Sequence, residues 1–179
     1  MRNVSLIGRI FMFAALASLA LSFFGGSPAR AASSDPVAET YTWDAELVAL
    51  DEANHMLTAK AYVVADQPKT EFKAFKPGDR VLLGWSGIDK FASGINHAAR
   101  YTNGTAITEK FNFPVEFVAF DAEKNYVTFK ATLPADGMAK IRTLKPGEWI
   151  TATSPQTKPE AHPIVAIRPF VILPNEHSN

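Results

Sequence analysis

The chain contains no cysteine, and this absence excludes several kinds of site and anchor. Without a thiol there is no disulfide, no thiolate metal site, no cysteine nucleophile and no lipid-modified N-terminal cysteine. A domain without disulfides depends on its hydrophobic core, and a chain of 179 residues with 47% hydrophobic residues can form one. We therefore expect a globular fold stabilised by side-chain packing.

Known catalytic motifs are also missing from the sequence. There is no Gly-x-Ser-x-Gly nucleophile elbow and no His-Glu-x-x-His zinc motif. Basic residues form no patch, since Lys69, Lys73, Lys76 and Arg80 are interspersed with acidic side chains. These absences favour a non-catalytic protein without a cofactor and without a nucleic-acid partner. A small hydrolase-like enzyme is kept as an alternative.

The N-terminus has the features of a secretory signal peptide. Arg2 and Arg9 start a segment whose apolar run covers residues 10–24, and residues 29–31 (Ala-Arg-Ala) supply the small residues that signal peptidase requires. We predict cleavage after Ala31. The apolar run is shorter than the roughly 20 residues of a membrane span, so we expect no membrane-spanning segment after cleavage. The predicted location is periplasmic or secreted.

The remaining chain contains an internal repeat. Three blocks occur twice, in the same order and at nearly constant spacing: residues 46–51, 57–61 and 75–79 correspond to residues 116–121, 127–131 and 144–148. Such self-similarity predicts a duplicated structural unit. We expect the following organisation: signal peptide 1–31, flexible segment 32–40, β-barrel repeat 1 at 41–102, linker 103–112, β-barrel repeat 2 at 113–173 and a tail at 174–179.

Each repeat has the pattern of short strands and tight turns. Alternating apolar and polar residues, as in Tyr126–Thr132, are typical of a half-buried strand. Residues 76–78 and 145–147 are both Lys-Pro-Gly, which predicts a turn because proline fixes φ and glycine accepts positive φ. No strong helix is predicted after residue 31. We expect an all-β fold of two tandem OB-like five-stranded barrels, with one joint barrel or sandwich as the alternative.

The stretches that define this pattern are Glu46–Asp51, Leu57–Ala61 and Lys76–Leu82 in repeat 1, and Val115–Asp121, Tyr126–Thr132, Lys145–Ile150 and Ile164–Ile167 in repeat 2. Their order resembles small exported bacterial β-barrel repeat domains of unknown function, which are OB-like. More distantly, it resembles the periplasmic copper/silver chaperone family. The resemblance implies a five-stranded barrel and, as an alternative function, a periplasmic carrier of copper-type metal.

The metal ligands of that family are not matched here. The resemblance implies a site made of a histidine, two closely spaced methionines and a tryptophan. This chain places His55 beside Met56 but offers no such methionine pair. Adjacent residues of a strand point to opposite faces. We therefore predict no metal site and keep His55 and Met56 as weak candidates.

The region around Trp85 is the best candidate for a ligand site. Trp85 ends a predicted strand and opens a glycine-flanked loop, where barrels place ligand contacts. We expect Trp85, Phe91 and His97 to contribute to this site, whereas most other aromatic residues should pack in the core. The sequence predicts an exported binding or accessory protein of the bacterial cell envelope, with a protein or small-molecule partner.

Overall fold

The same order of elements, strand–strand–helix–strand–strand, occurs twice along the chain. The computed structural model describes residues 39–87, 93–156 and 163–171, which lie in a single compact unit. The predicted signal peptide, the segment 32–38, Phe91 and the tail lie outside the described residues. The first set consists of β1 (Thr40–Asp51), β2 (Met56–Tyr62), α1 (Asp66–Glu71, extended by a 3-10 turn at Phe72–Ala74), β3 (Arg80–Ser86) and β4 (Gly94–Arg100). The second set consists of β5 (Asn112–Asp121), β6 (Tyr126–Thr132), α2 (Ala135–Ile141), β7 (Trp149–Pro155) and β8 (Ala166–Pro169).

The described strands form one antiparallel sheet in the order β4-β3-β5-β6-β2-β1-β7-β8. The two halves of the chain interleave in this sheet. Strand β3 pairs with β5, β7 pairs with β1, and β2 pairs with β6 at the centre. The fold is therefore all-β, as predicted. Two separate five-stranded barrels are not confirmed, because each half pairs with strands of the other; the joint arrangement was the alternative.

The sheet curls so strongly that strands far apart in its order meet. Val63, just after β2, forms a parallel bridge with Ile95 of β4, although β6, β5 and β3 separate those strands in the sheet. The amide of Val64 donates to the carbonyl of Ile95 at 2.9 Å. This contact closes one half of the sheet on itself, because a flat sheet would hold β2 and β4 about four strand spacings apart.

The two Lys-Pro-Gly turns hold the halves together. Gly78 and Gly147 adopt positive φ values of 92° and 95°, as the turn prediction requires. Each turn binds the long strand of the other half. The amide of Gly78 donates to Phe117 at 2.9 Å, and the amide of Gly147 donates to Leu47 at 2.8 Å. Leu47 and Phe117 both stand at a register shift in their strands, so the bulges and turns fit together.

The core lies on the concave side of the sheet and is rich in aromatic rings. Trp43 stacks on Phe113 with ring centroids 4.9 Å apart and planes 9° apart, and Phe129 packs beside both. The indole N–H of Trp43 donates to the hydroxyl of Ser154 at 2.8 Å. Burial of a tryptophan with a satisfied N–H combines a large apolar area with one specific hydrogen bond.

The sequence predicted no strong helix after residue 31, but the structure contains the short helices α1 and α2. They have six and seven residues, and neither has a side-chain hydrogen bond at its N-cap. Such short segments contain less than two turns, too little for a 3.6-residue period to emerge. Burial explains why they form: Pro68 of α1 and Gly137, Met138 and Ile141 of α2 are buried. Among the described residues, no helix has the length and apolar character needed to cross a membrane.

Candidate functional site

A cleft opens where β1 and β2 separate. The two strands are paired from Asp51 and Met56 to Glu46 and Lys60. The part of β1 before Glu46 pairs with β7 only. Beyond Lys60, β2 instead leads to Val63, which forms a bridge with Ile95 of β4. If the pairing continued, Ala45 would oppose Ala61 and Asp44 would oppose Tyr62; Asp44 and Tyr62 both line the opening. The curl of the sheet thus creates a wedge-shaped gap between two strands that are neighbours elsewhere.

This gap has a volume of about 150 Å³ and is termed the aromatic cleft; its lining residues are Asp44, Tyr62, Trp85, Ser93, Trp149 and Phe170. Three of the rings are accessible, since Tyr62 is 44%, Trp149 39% and Phe170 40% exposed. Large aromatic side chains seldom gather on a surface without a partner. The cleft is therefore the best candidate for a binding site in the described part of the chain.

Strand geometry places Trp149 on the outer face of the sheet. Trp149 begins β7, and the next residue, Ile150, is fully buried on the opposite face. Phe170 lies beside Trp149 because its amide donates to the Trp149 carbonyl at 2.9 Å. The two ring centroids are 6.4 Å apart. A backbone hydrogen bond therefore fixes one wall of the cleft.

The opposite wall is formed by Tyr62 at the end of β2. Its ring contacts Tyr126 edge-on at a centroid distance of 5.7 Å. Strand β4 approaches this wall so closely that a Cβ at Gly94 would lie 2.5 Å from the Tyr62 carbonyl oxygen. Only glycine fits there without a backbone shift. Gly94 thus allows β4 to pass against Tyr62 and brings Ser93 to the cleft.

The floor of the cleft is the ring of Trp85, which is 4% exposed. A register shift between Gly84 and Trp85 turns the end of β3, and Trp85 then packs against Trp43 with ring centroids 5.9 Å apart. The floor is continuous with the hydrophobic core. A ligand in the cleft would therefore contact a ring that the fold already holds in place.

Asp44 supplies a carboxylate at the edge of the aromatic cleft. Its Oδ1 accepts a hydrogen bond of 2.7 Å from the Thr151 hydroxyl, and the two residues are direct neighbours in the β1–β7 register. On the same face, Lys60 forms an ion pair with Glu46 at 2.8 Å and lies over the Tyr126 ring. The cleft therefore combines exposed aromatic rings with an acidic oxygen whose position is fixed.

The predicted ligand residues have different positions. Trp85 lines the aromatic cleft, as expected for a ligand residue. Phe91 lies outside the described residues. His97 lies in β4 opposite Gly84 and is partly buried, and it is not one of the residues that line the cleft. The structure therefore does not bring Trp85 and His97 into the same cleft.

The weak metal candidates lie at a turn. His55 is exposed with a φ of 52° at the end of the β1–β2 turn, and its carbonyl accepts a hydrogen bond from Leu133 at 2.8 Å. Met56 begins β2, where its sulfur accepts a hydrogen bond from the Thr132 hydroxyl at 3.8 Å. Within residues 39–87, 93–156 and 163–171, no three His, Cys, Asp or Glu side chains group as metal ligands would.

Sequence patterns alone did not select Asp44, Tyr62, Trp149 and Phe170. They belong to β1, β2, β7 and the residue after β8, so only the curl of the sheet unites them. One signal was available: Trp149 is a large aromatic residue on the polar side of an alternating strand. An outward-facing tryptophan of this kind is a usable indication of a binding surface.

Comparison with known proteins gives little similarity. No protein-family model matches the chain. No curated protein matches it. Among solved structures, the chain has a weak similarity to a siderophore utilization protein from T. fusca, with 12% sequence identity and a TM-score of 0.23. That alignment covers 66% of this chain and 46% of the other, so the chain spans less than half the length of that protein.

Proposed function

We propose that this chain is an exported, non-catalytic binding protein of the bacterial cell envelope that uses the aromatic cleft to hold a group of its partner. The observation that carries the proposal is the presence of three accessible rings, Tyr62, Trp149 and Phe170, around one opening. Exposing these rings to water costs free energy, which a bound partner would recover. The predicted signal peptide supports the envelope location.

The size of the aromatic cleft limits what it can hold. A cavity on the order of 150 Å³ accommodates one compact group of about the size of benzene. The cleft would therefore enclose a small molecule or one projecting group of a larger partner. The chemistry available is binding by ring faces, by the Trp85 floor and by the Asp44 carboxylate. This arrangement favours an accessory or binding role.

The repeated sequence has a structural role in this proposal. Two copies of one β-forming segment, interleaved in one sheet, would build a rigid support, and sequence differences between the copies would give only one of them a tryptophan at this position. Trp85 corresponds to Ser154 in the second copy, where the serine instead accepts the Trp43 hydrogen bond. Because Trp85 is replaced by Ser154 in the second copy, only the first copy supplies an aromatic ring at this position.

Site-specific photo-crosslinking in cells of the native host tests the proposal. A benzophenone side chain replaces Phe170 at the cleft, and a matched protein carries it at Tyr101, a partly exposed ring in the connector between the halves. We expect an adduct at position 170 that is absent at 101 and is lost when Trp149→Ala is added. Equal crosslinking at both positions, or no adduct at either, would contradict a binding role for the cleft.

The proposed export has its own test. Mass spectrometry of the protein recovered from a periplasmic or culture fraction should give a mature N-terminus at Ala32. Recovery of the intact chain with Met1 from the cytoplasm would refute export. The crosslinking result at position 170 does not depend on this outcome.

A further inference from the structure

The aromatic cleft combines two features that together select a positively charged ligand. Ring faces attract cations through their negative π-electron density, most strongly when several rings surround one charge. The cleft presents the rings of Tyr62, Trp149 and Phe170 to solvent. It also contains the carboxylate of Asp44. A neutral apolar ligand would use the rings but would gain nothing from an acidic wall.

The position of Asp44 is fixed by its surroundings. Its Oδ1 accepts the hydrogen bond from Thr151 at 2.7 Å, on a residue pair locked by the β1–β7 register. A carboxylate held in place needs little reorganisation when a charged ligand arrives, so its attraction is available at once. Asp44 thus holds a carboxylate at a fixed position beside the rings.

Two basic side chains lie near the aromatic cleft without lining it. Lys60 pairs with Glu46 at 2.8 Å. Arg168 of β8 is exposed, stands beside Thr151 in the β7–β8 register and lines a neighbouring cleft together with Thr151 and Lys140. No lysine or arginine is among the described residues that line the aromatic cleft. Among the described residues, its lining therefore has one acidic residue and no basic one.

We infer that the aromatic cleft binds a small organic cation, namely a molecule carrying an alkylammonium or quaternary ammonium group. The cation would sit between the Trp149, Phe170 and Tyr62 rings above the Trp85 floor, with its charge facing Asp44. A trimethylammonium group is compact and close in size to benzene, so it suits a volume of about 150 Å³. This inference rests on the proposed binding function and specifies its ligand class.

A pair of probes of nearly equal shape tests the charge requirement. Choline carries the quaternary ammonium group, and 3,3-dimethylbutan-1-ol is its neutral carbon analogue. Tryptophan fluorescence and calorimetry of the purified protein would measure both affinities, since Trp149 and Trp85 lie in the cleft. We expect choline to bind roughly tenfold more tightly than the neutral analogue.

Three variants identify the groups responsible. Asp44→Asn should reduce the affinity for choline more than the affinity for the neutral alcohol, and the preference for choline that remains would come from the rings. Trp149→Ala should reduce both affinities. The control variant Glu52→Gln removes an exposed carboxylate in the β1–β2 turn, beyond the end of β1 that is remote from Asp44, and should bind choline like the unaltered protein.

The outcomes separate this inference from the proposed function. Equal binding of the two probes would overturn the requirement for a cation and leave ligand binding by the cleft intact. Tighter binding of a Gly-Lys-Gly peptide than of choline would overturn the assignment to a small molecule. Binding of neither probe would also overturn the cation inference, whereas the crosslinking at position 170 decides the binding function independently.

Discussion

Trp43 and Phe113 stack face to face at the centre of the molecule, with ring centroids 4.9 Å apart. The two residues occupy corresponding positions of the repeated sequence, each three residues before the glutamate of the first repeated block. One belongs to β1 and the other to β5, which are separated by β6 and β2 in the sheet. The stack therefore joins the two halves of the chain through equivalent residues, and its removal should weaken both.

Replacement of Trp43 tests the value of this stack. Trp43→Ala should lower the free energy of unfolding by about 3–5 kcal/mol, because it leaves a large cavity beside Phe113. Trp43→Phe keeps a ring but removes the N–H that Ser154 accepts, and should cost about 1–3 kcal/mol. Urea unfolding followed by circular dichroism measures both. Equal losses for the two variants would mean that the ring stack contributes little.

The two tryptophans of the cleft should separate stability from binding. Trp85 is 4% exposed, so Trp85→Ala should cost about 3–5 kcal/mol of folding free energy. Trp149 is 39% exposed, so Trp149→Ala should cost roughly 1 kcal/mol or less while abolishing crosslinking at position 170. Thermal unfolding and the crosslinking assay compare the variants. A Trp149→Ala protein that unfolds as readily as Trp85→Ala would show that Trp149 has a structural role instead.

Asp79 should make the stability of the protein depend on acidic pH. The amide of Lys76 donates to this carboxylate at 2.9 Å, and with the nearby Arg100 it lowers the pKa of Asp79 below its ordinary value of 3.8. A group with a lowered folded-state pKa stabilises the fold above its unfolded pKa and loses that contribution as the pH falls through the folded value.

We therefore expect the Tm of the unaltered protein to fall below about pH 4 more steeply than that of Asp79→Asn. Asp51→Asn should flatten the curve in the same direction, because hydrogen bonds from Asn54 lower the pKa of Asp51. Differential scanning calorimetry between about pH 2 and pH 6 measures these slopes. Parallel curves for all three proteins would exclude a contribution from either turn carboxylate.

The interleaved sheet predicts that the halves of the chain depend on each other. Fragments covering residues 1–103 and 104–179 would each leave strand edges unpaired, since β3 needs β5 and β1 needs β7. Neither fragment should give a folded monomer. When mixed, they should form a folded one-to-one complex, detectable by size-exclusion chromatography with light scattering. Two fragments that each fold as a monomer would contradict the pairing of strands between the two halves.

Local features of the sequence predicted much of the secondary structure. The strand expected at Tyr126–Thr132 is β6, and the Lys-Pro-Gly turns adopt the positive φ that glycine permits. Both outcomes follow from interactions within a few residues: alternation decides which side chains are buried, and proline and glycine fix backbone angles. Short helices such as α1 escaped prediction because tertiary burial, rather than a local pattern, stabilises them.

The site could be predicted only in part. Trp85 was selected because it ends a strand beside a glycine-rich loop, and it does line the aromatic cleft. Asp44, Tyr62, Trp149 and Phe170 come from four other places in the chain. Nothing in their local sequences indicates that they meet, since their proximity depends on the point where β1 leaves β2.

The sequence by itself determined the all-β class, the tight turns and the repeated order of elements, because these depend on backbone preferences and on the alternation of polar and apolar residues. The tertiary structure alone decided which strands pair. When the same order of strands occurs twice in a chain, a strand can pair within its own half or with the other half, as the two halves present similar edges. The burial of Trp43 against Phe113 and the bridge between Val63 and Ile95 both occur in a sheet where strands of the two halves pair with each other. The same pairing of strands between the halves brings together the residues that line the aromatic cleft.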